Sequence, residues 1–480
     1  MSISRVVLLL LLAACQATSV ASLPAQAARP NIVLIVADDL GYGDLGSYGQ
    51  EKIRTPVLDS LAAEGMRFTD FYAGSPVCAP SRCTLLTGKH PGHALVRDNW
   101  EAGGWGEFDA EGQQPLPVGT RTLGTSLQAA GYRTACIGKW GLGGPGSTGE
   151  PNAQGFDHFF GYLCQRQAHN YYPTHLWKDG ERVDLPGNVW KNEMGAVYSP
   201  DLMDADAVDW VGADGDEPFF LLWTFAVPHL ALQVPDDSLA EYVGKWDDPA
   251  YDGKKGYLPH EHPRAAYAAM ITRMDRDIGR LLDRLEELGV DDNTLVIFTS
   301  DNGATYDIGG AHSEFFESNG ALRGAKGSVY EGGLRVPMIA RWPGRVPAGT
   351  ESTAIGAFWD FMPTLEEAAG VEPSPGLDGH SLMPVLAGDC GGDPSRELYW
   401  EFPAYSSQQA LRVGDWKLVR RQLKTTSPTT ELFNLASDIE EQNDLAAENP
   451  DRVAAMLARM VEEHEPSADF PLLGIDTAPK

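Results

Sequence analysis

Four stretches of the chain, residues 31–37, 133–137, 219–227 and 294–298, are dominated by apolar side chains over the length of a β-strand. They lack the alternation of a half-exposed strand, so they fit strands buried on both faces of a parallel sheet. Between them the period lengthens. Tyr267, Met270, Ile271, Met274, Ile278, Leu281, Leu285 and Leu288 recur every three or four positions, the mark of an amphipathic helix, and Gly289 ends it. Thr55-Pro56 reads as the N-cap and first residue of a helix running through Leu58, Leu61 and Met66. Another helix, 122–130, precedes the second apolar run. The alternation predicts an α/β fold: a large central, mostly parallel sheet flanked by helices.

Each run delivers polar, ligand-type residues at its carboxyl end. The first ends at Asp38-Asp39, the second at Lys139, the third at Pro228-His229 and the fourth at Ser300-Asp301-Asn302-Gly303. A strand end that reaches water is often polar, which explains one such end but not four carrying carboxylate, lysine or histidine. In open α/β sheets the site lies outside this edge. From about Leu377 the pattern changes to short strand-like runs at 398–402, 410–413, 416–419 and 431–435, with Gly414-Asp415 suited to a hairpin turn and a last helix near 450–463. This predicts a smaller C-terminal subdomain of antiparallel sheet plus helix, and a division into residues 1–27, 28–376 and 377–480.

Cys78-Ala79-Pro80-Ser81-Arg82-Cys83-Thr84-Leu85-Leu86-Thr87-Gly88 also reads as a short helix, with Pro80 in its first turn and Gly88 as its exit. Its positive end would favour negative charge on Cys78, and Arg82 lies on the same face, within reach of the sulfur. The residues alone fit either an activated sulfur or a buried structural cysteine.

A formal net charge of −30 over 480 residues argues against a nucleic-acid partner, and any anionic substrate needs a local cluster of cations. Arg82, Lys139 and Lys326 are the candidates. Asp38, Asp39, Asp301 and Asn302 are hard oxygen donors; three carboxylates crowded together call for a cation, calcium or magnesium rather than zinc. At the N-terminus, Arg5 and the apolar run 6–14 have the form of a signal peptide, too short to span a bilayer. Leu12-Ala13-Ala14-Cys15 looks like a lipobox, with Cys15 lipidated; the competing reading is ordinary cleavage after Ala25-Gln26-Ala27. Either implies export, to a bacterial periplasm or outer membrane or beyond. The six cysteines show no zinc-site or dense disulfide spacing.

The segment from Cys78 to Gly88 resembles C-x-P-S-R-x-x-x-L-T-G, the signature of the formylglycine-dependent (type I) sulfatases, arylsulfatase-like members of the alkaline phosphatase superfamily. The stretch Leu322-Arg323-Gly324-Ala325-Lys326, followed by Tyr330-Glu331-Gly332-Gly333, resembles a second family motif. The resemblance implies that a formylglycine-generating enzyme oxidises Cys78 and that the aldehyde hydrate attacks sulfur. It implies a metal site of Asp38, Asp39, Asp301 and Asn302, with the residue at 78, holding one divalent ion, usually calcium. It further implies a sulfate clamp of Arg82, Lys139 and Lys326, with His229 facing the ester oxygen and either His229 or Lys326 as proton donor to the leaving alcohol. The expected substrate is a sulfated saccharide or aryl sulfate.

One departure stands out. The family reads Gly-Lys-Trp-His-Leu-Gly where this chain has Gly138-Lys139-Trp140-Gly141-Leu142-Gly143. Either another residue, His169 or His312, takes the place of the imidazole, or turnover differs. His93, Arg97, His169, Asn170, Tyr171, Tyr172, Trp177 and His312 fit two readings, contacts to a sugar or loop packing. Two rival functions are a phosphoesterase of the same fold, against which Cys78 and the oxygen ligands count, and a non-catalytic binder of sulfated glycans, for which Gly141 counts.

Overall fold

A computed structural model describes residues 29–102, 111–213, 215 and 217–476. The signal segment and Cys15 lie outside the described residues. The strands are β1 (Asn31–Asp38), β2 (Met66–Phe68), β3 (Phe71–Tyr72), β4 (Arg133–Lys139), β5 (His158–Tyr162), β6 (His175–Lys178), β7 (Glu181–Asp184) and β8 (Phe219–Pro228). They continue as β9 (Thr294–Ser300), β10 (Met338–Arg341), β11 (Thr350–Ser352), β12 (Gly356–Ala357), β13 (Glu397–Phe402), β14 (Gln408–Val413), β15 (Trp416–Arg421) and β16 (Thr429–Asn434).

Ten of them form one sheet in the order β11-β2-β10-β9-β1-β8-β4-β5-β6-β7. The centre, β9-β1-β8-β4-β5, is parallel, whereas β10 against β9 and β2, and β6 against β5 and β7, are antiparallel. The sheet is therefore mixed: its five central strands are parallel, and a second, short parallel pair, β11 with β2, lies at one edge. In β1 successive residues serve opposite cores: Val33, Ile35 and Ala37 on one side, Ile32, Leu34 and Val36 on the other. This is why the run shows no alternation. The helix Pro263–Glu287 packs on the first face through Ala266, Met270, Ile278 and Leu281; α2 (Cys78–Thr87) and α3 (Leu123–Ala129) cover the second.

Register places the four strand ends side by side. Ala37 of β1 pairs with Ser300 of β9, Asp38 with Pro228 of β8, and Thr224 of β8 with Gly138 of β4. Lys139 is the last residue of β4, and its glycine neighbour has a packing reason. A Cβ at Gly138 (φ 117°) would lie 1.8 Å from the Thr224 carbonyl oxygen, so only glycine lets the strands meet there.

Two expectations at the first helix are corrected. The helix α1 (Pro56–Glu64) ends at Glu64, and Met66 opens β2 instead of extending it. Thr55 stands at the N-cap, but its hydroxyl accepts from Gly46 N–H; the first-turn N–H groups of Val57 and Leu58 donate to Asp275 of the long helix, at 3.1 and 2.8 Å. A tertiary carboxylate has replaced the local cap. All described cysteines are free, and among the described residues no helix is long and apolar enough to cross a membrane.

Strands β13–β16 form a separate antiparallel sheet whose two-residue turn is Gly414-Asp415. Tyr399, Leu411, Leu418 and Leu432 pack on the helix Pro450–Glu462, while Trp400, Phe402, Val419 and Phe433 face Tyr72, Val77 and Tyr330. A buried charge network crosses the same seam. Lys417 of β15 lies 2.7 Å from Glu331 and 3.0 Å from Glu441, and Glu331 also binds Arg335 and Tyr72 at 2.7 Å. Removing one member leaves buried charge uncompensated, which costs about 3–5 kcal/mol. Lys417→Met is expected to lose that much in urea unfolding, and Lys417→Met combined with Glu331→Gln to recover part of it.

Candidate active site

Val77 is extended, and the chain turns into α2 with Cys78 as its first residue; Gly88 (φ 65°) closes the helix. Cys78 is 1% exposed. Its thiol donates to Asp38 Oδ1 at 3.3 Å and its sulfur accepts from Lys326 Nζ at 3.4 Å. Burial, reinforced by Asp38, pushes the thiol well above its ordinary range despite Lys139 and Lys326 nearby. Of the two readings open from sequence, a thiolate at the helix end is disfavoured: burial first, and Asp38 second, outweigh the helix end.

Arg82 does not reach back to the sulfur either. Its Nε and Nη2 donate to Asp301 Oδ2 at 3.1 and 2.9 Å, Nη2 lies 3.5 Å from Asp38, and Nη1 donates to the Lys139 carbonyl. Carboxylates are far better partners for a guanidinium than a neutral thiol. Lys139 pairs with Asp38 Oδ2, and Lys326 sits 2.8 Å from Asp39 Oδ1. Three carboxylates and three cations therefore interleave, nearly all of them buried.

The charges set one another. Burial favours the neutral form of Asp38, but Lys139, with Arg82 and Lys326, outweighs it and holds the carboxyl far below the usual range. Burial and the charge on Asp38 push Asp301 up to about 7, and burial raises Asp39 as well. Burial alone would lower Lys326, yet Asp39, Cys78 and Asp38 keep it well above an ordinary lysine, so it stays protonated. Burial and the nearby Lys326 and Lys139 hold His229 well below 6.5. The Nδ1 of this neutral imidazole is 2.6 Å from the Leu230 carbonyl, which assigns the proton to Nδ1 and leaves Nε2 bare, 3.6 Å from Asp39.

Asp38, Asp39, Cys78 and His229 each offer one ligand atom within 4.8 Å of the others, so an imidazole joins the oxygen donors expected from sequence. Asn302 Nδ2 donates to Asp39 Oδ1 at 2.7 Å, while Asn302 Oδ1 is buried without a hydrogen-bond partner. A buried amide oxygen left bare among three carboxylates suits a hard divalent cation.

The substrate candidates divide. His169 is stacked on His229, ring centroids 4.4 Å apart, and lines a cavity of about 520 Å³ with Asn170 and Tyr257. Tyr171 is scaffold: it is buried, with its hydroxyl 2.5 and 2.7 Å from the carbonyls of Ala226 and His229. Tyr172 is likewise packed in the core, and Trp177 donates to Glu111. His93 pairs with Asp378 at 2.9 Å and Arg97 with Glu401 at 2.6 Å, so both tie the loop after α2 to the C-terminal part of the chain. His312 lies 4.0 Å from Asp307; none of the contacts described for it is with the cluster around Cys78.

Sequence reasoning missed Gln165. A Cβ at Gly141 (φ 86°) would lie 1.8 Å from Gln165 Nε2, and both polar atoms of this buried amide are without partners. The space open to a side chain at 141 is filled by Gln165, not by His169 or His312.

The match to the sulfatase family model extends over residues 30–371. The chain belongs to the sulfatase family. A second model, N-sulphoglucosamine sulphohydrolase, C-terminal, matches residues 325–466. The chain is 36% identical over 425 residues to arylsulfatase A of Homo sapiens, covering 82% of this chain and 75% of that one. It is 33% identical to N-acetylgalactosamine-6-sulfatase of Homo sapiens over 375 residues, 74% of this chain and 66% of the relative. The crystal structure of Ps i-CgsB in complex with k-i-k-neocarrahexaose superposes with a TM-score of 0.77 at 29% identity, covering 91% of this chain and 94% of that one. The protein is accordingly a sulfuric ester hydrolase, which removes the phosphoesterase reading.

Proposed function

We propose that this sulfatase hydrolyses sulfate esters of a saccharide through a formylglycine made from Cys78, with one calcium ion held by Asp38, Asp39, Asp301 and Asn302. The observation that carries the reading is the seat of Cys78: its sulfur lies between Asp38 and Lys326, at the head of three buried carboxylates. Formylglycine would supply the attacking hydroxyl and the cation would neutralise charge on the sulfate. Lys139 and Lys326 would hold the non-bridging oxygens, in a dry pocket where their charge acts strongly. Arg82 is a strut, fixing Asp301 and the Lys139 carbonyl. Of the two candidate proton donors, Lys326 already holds a proton at Nζ, which supports it as donor to the leaving oxygen. His229 presents a bare Nε2 and is the acceptor. Gln165 offers an amide that can bond a hydroxyl but cannot take up its proton at neutral pH.

The saccharide is supported by relatives: one named for N-acetylgalactosamine 6-sulfate, another solved with a neocarrahexaose. The same reading includes export, with the first 27 residues as a cleaved leader or a lipid anchor at Cys15, and a catalytic part ending near residue 376. In protein from a host with the maturing enzyme, mass spectrometry of the Cys78 peptide is expected to show an aldehyde in place of the thiol. Chelation of calcium is expected to lower sulfate release by roughly ten- to a hundredfold, restored by calcium. An intact thiol in active protein, or restoration by zinc alone, would count against it.

A further inference from the structure

Two tyrosines near the site carry their backbones in the left-handed region, Tyr257 at φ 63° and Tyr405 at φ 46°. Bulky residues rarely adopt it, and such conformations persist where the surrounding structure enforces them. Tyr405 opens a run of three, with Ser406 at 75° and Ser407 at 59°. The turn that carries it, between β13 and β14, is pinned from several directions. Ser407 N–H donates to the Ala404 carbonyl and Ser407 Oγ to the Pro403 carbonyl, both at 3.0 Å, and Leu423 N–H donates to Ser407 O at 3.2 Å.

This backbone brings the Tyr405 ring onto Gly327, where a Cβ would lie 2.3 Å from Tyr405 Cε2. Gly327 follows Lys326, its N–H donates to the Pro76 carbonyl at 2.8 Å, and its own carbonyl accepts from Gln408 Nε2 at 2.8 Å. The ring is thus fastened beside the two segments whose side chains, Cys78 and Lys326, meet at the centre of the site. Phe402 supports it edge-on, centroids 5.5 Å apart. Even so, Tyr405 is 61% exposed. A large aromatic ring held in an unfavourable conformation and left facing solvent gains the fold little burial. Tyr257 approaches the same centre from another loop, its ring centroid 5.4 Å from His169 and 6.0 Å from His229.

We propose that Tyr405 and Tyr257 are the walls of a slot that grips a sugar ring of the substrate, so that the C-terminal sheet contributes directly to specificity. The apolar C–H face of a pyranose lies flat on an aromatic ring while its hydroxyls bond outward. The proposal rests on the sulfatase reading and deepens it by naming the ring-shaped alcohol.

The test uses full-length matured protein and sulfate release from three probes, N-acetylgalactosamine 6-sulfate, D-glucosamine 2-N,6-O-disulfate and a carrageenan-derived neocarrahexaose, with 4-nitrophenyl sulfate alongside. On the saccharide that the wild type turns over best, Tyr405→Ala and Tyr405→Leu are expected to raise KM about tenfold with kcat within about twofold. Tyr405→Phe and Tyr405→Trp, which keep a ring, are expected to stay within about twofold in both, and thermal unfolding checks each variant. The slot is refuted if Leu serves as well as Phe, or if the wild type cleaves 4-nitrophenyl sulfate but none of the saccharides. Loss of all turnover in wild type carrying the aldehyde would instead remove the sulfatase reading, and the slot with it.

Discussion

Cys78→Ala is expected to lower kcat/KM for any sulfate ester by at least about 10⁴-fold while leaving the protein folded. The side chain is buried but makes only two polar contacts, one to Asp38 and one from Lys326. Alanine keeps the Cβ and its packing, and Asp38 and Lys326 retain their ion-pair partners Lys139 and Asp39. The stability cost is therefore on the order of 1 kcal/mol, that of two weak hydrogen bonds involving sulfur. Circular dichroism and thermal unfolding separate the two effects, and sulfate release measures the first. Turnover retained in this variant would move the nucleophile elsewhere, because no other cysteine among the described residues shares the pocket with Asp38, Asp39 and Lys326.

The centre of the site was legible in the sequence because it is built from strand ends. A buried parallel strand announces itself as an unbroken apolar run, and the polar residue that stops it marks the sheet edge. Asp38, Lys139, His229 and Asp301 come together because β9, β1, β8 and β4 are neighbours with aligned ends. The periphery is less legible, since closeness in sequence to a motif does not imply closeness in space. The ten residues of α2 carry the chain about 15 Å from Cys78. His93 and Arg97 follow its far end, where Asp378 and Glu401 hold them. Among the candidates named from sequence, His169 does reach the centre, stacked on His229, whereas Gln165 and Tyr405 arrive by long-range contacts onto glycines, and a glycine does not say which side chain will use the room it leaves.

The misjudged partner of Arg82 leads to the second large effect. Arg82→Leu is expected to cost about 10³-fold in kcat/KM and about 3–5 kcal/mol in stability. The guanidinium, 4% exposed, joins α2, the end of β4 and the carboxylates at the ends of β1 and β9 through one planar fork. Without it Asp301 and Asp38 face each other with a cation missing. Arg82→Lys should rescue little, since one ammonium cannot span Asp301 Oδ2 and the Lys139 carbonyl together. The losses are separable by adding Asp301→Asn, which removes the unpaired charge. In the double variant stability is expected to recover by 1 to 2 kcal/mol in urea unfolding, roughly what relief of one buried charge returns. Activity should stay low, because Asp301 is also a proposed ligand for the cation and Lys139 has lost its anchor. If activity recovered along with stability, Arg82 would serve stability alone, and neither its anchoring of Lys139 nor the Asp301 carboxylate would be needed for turnover.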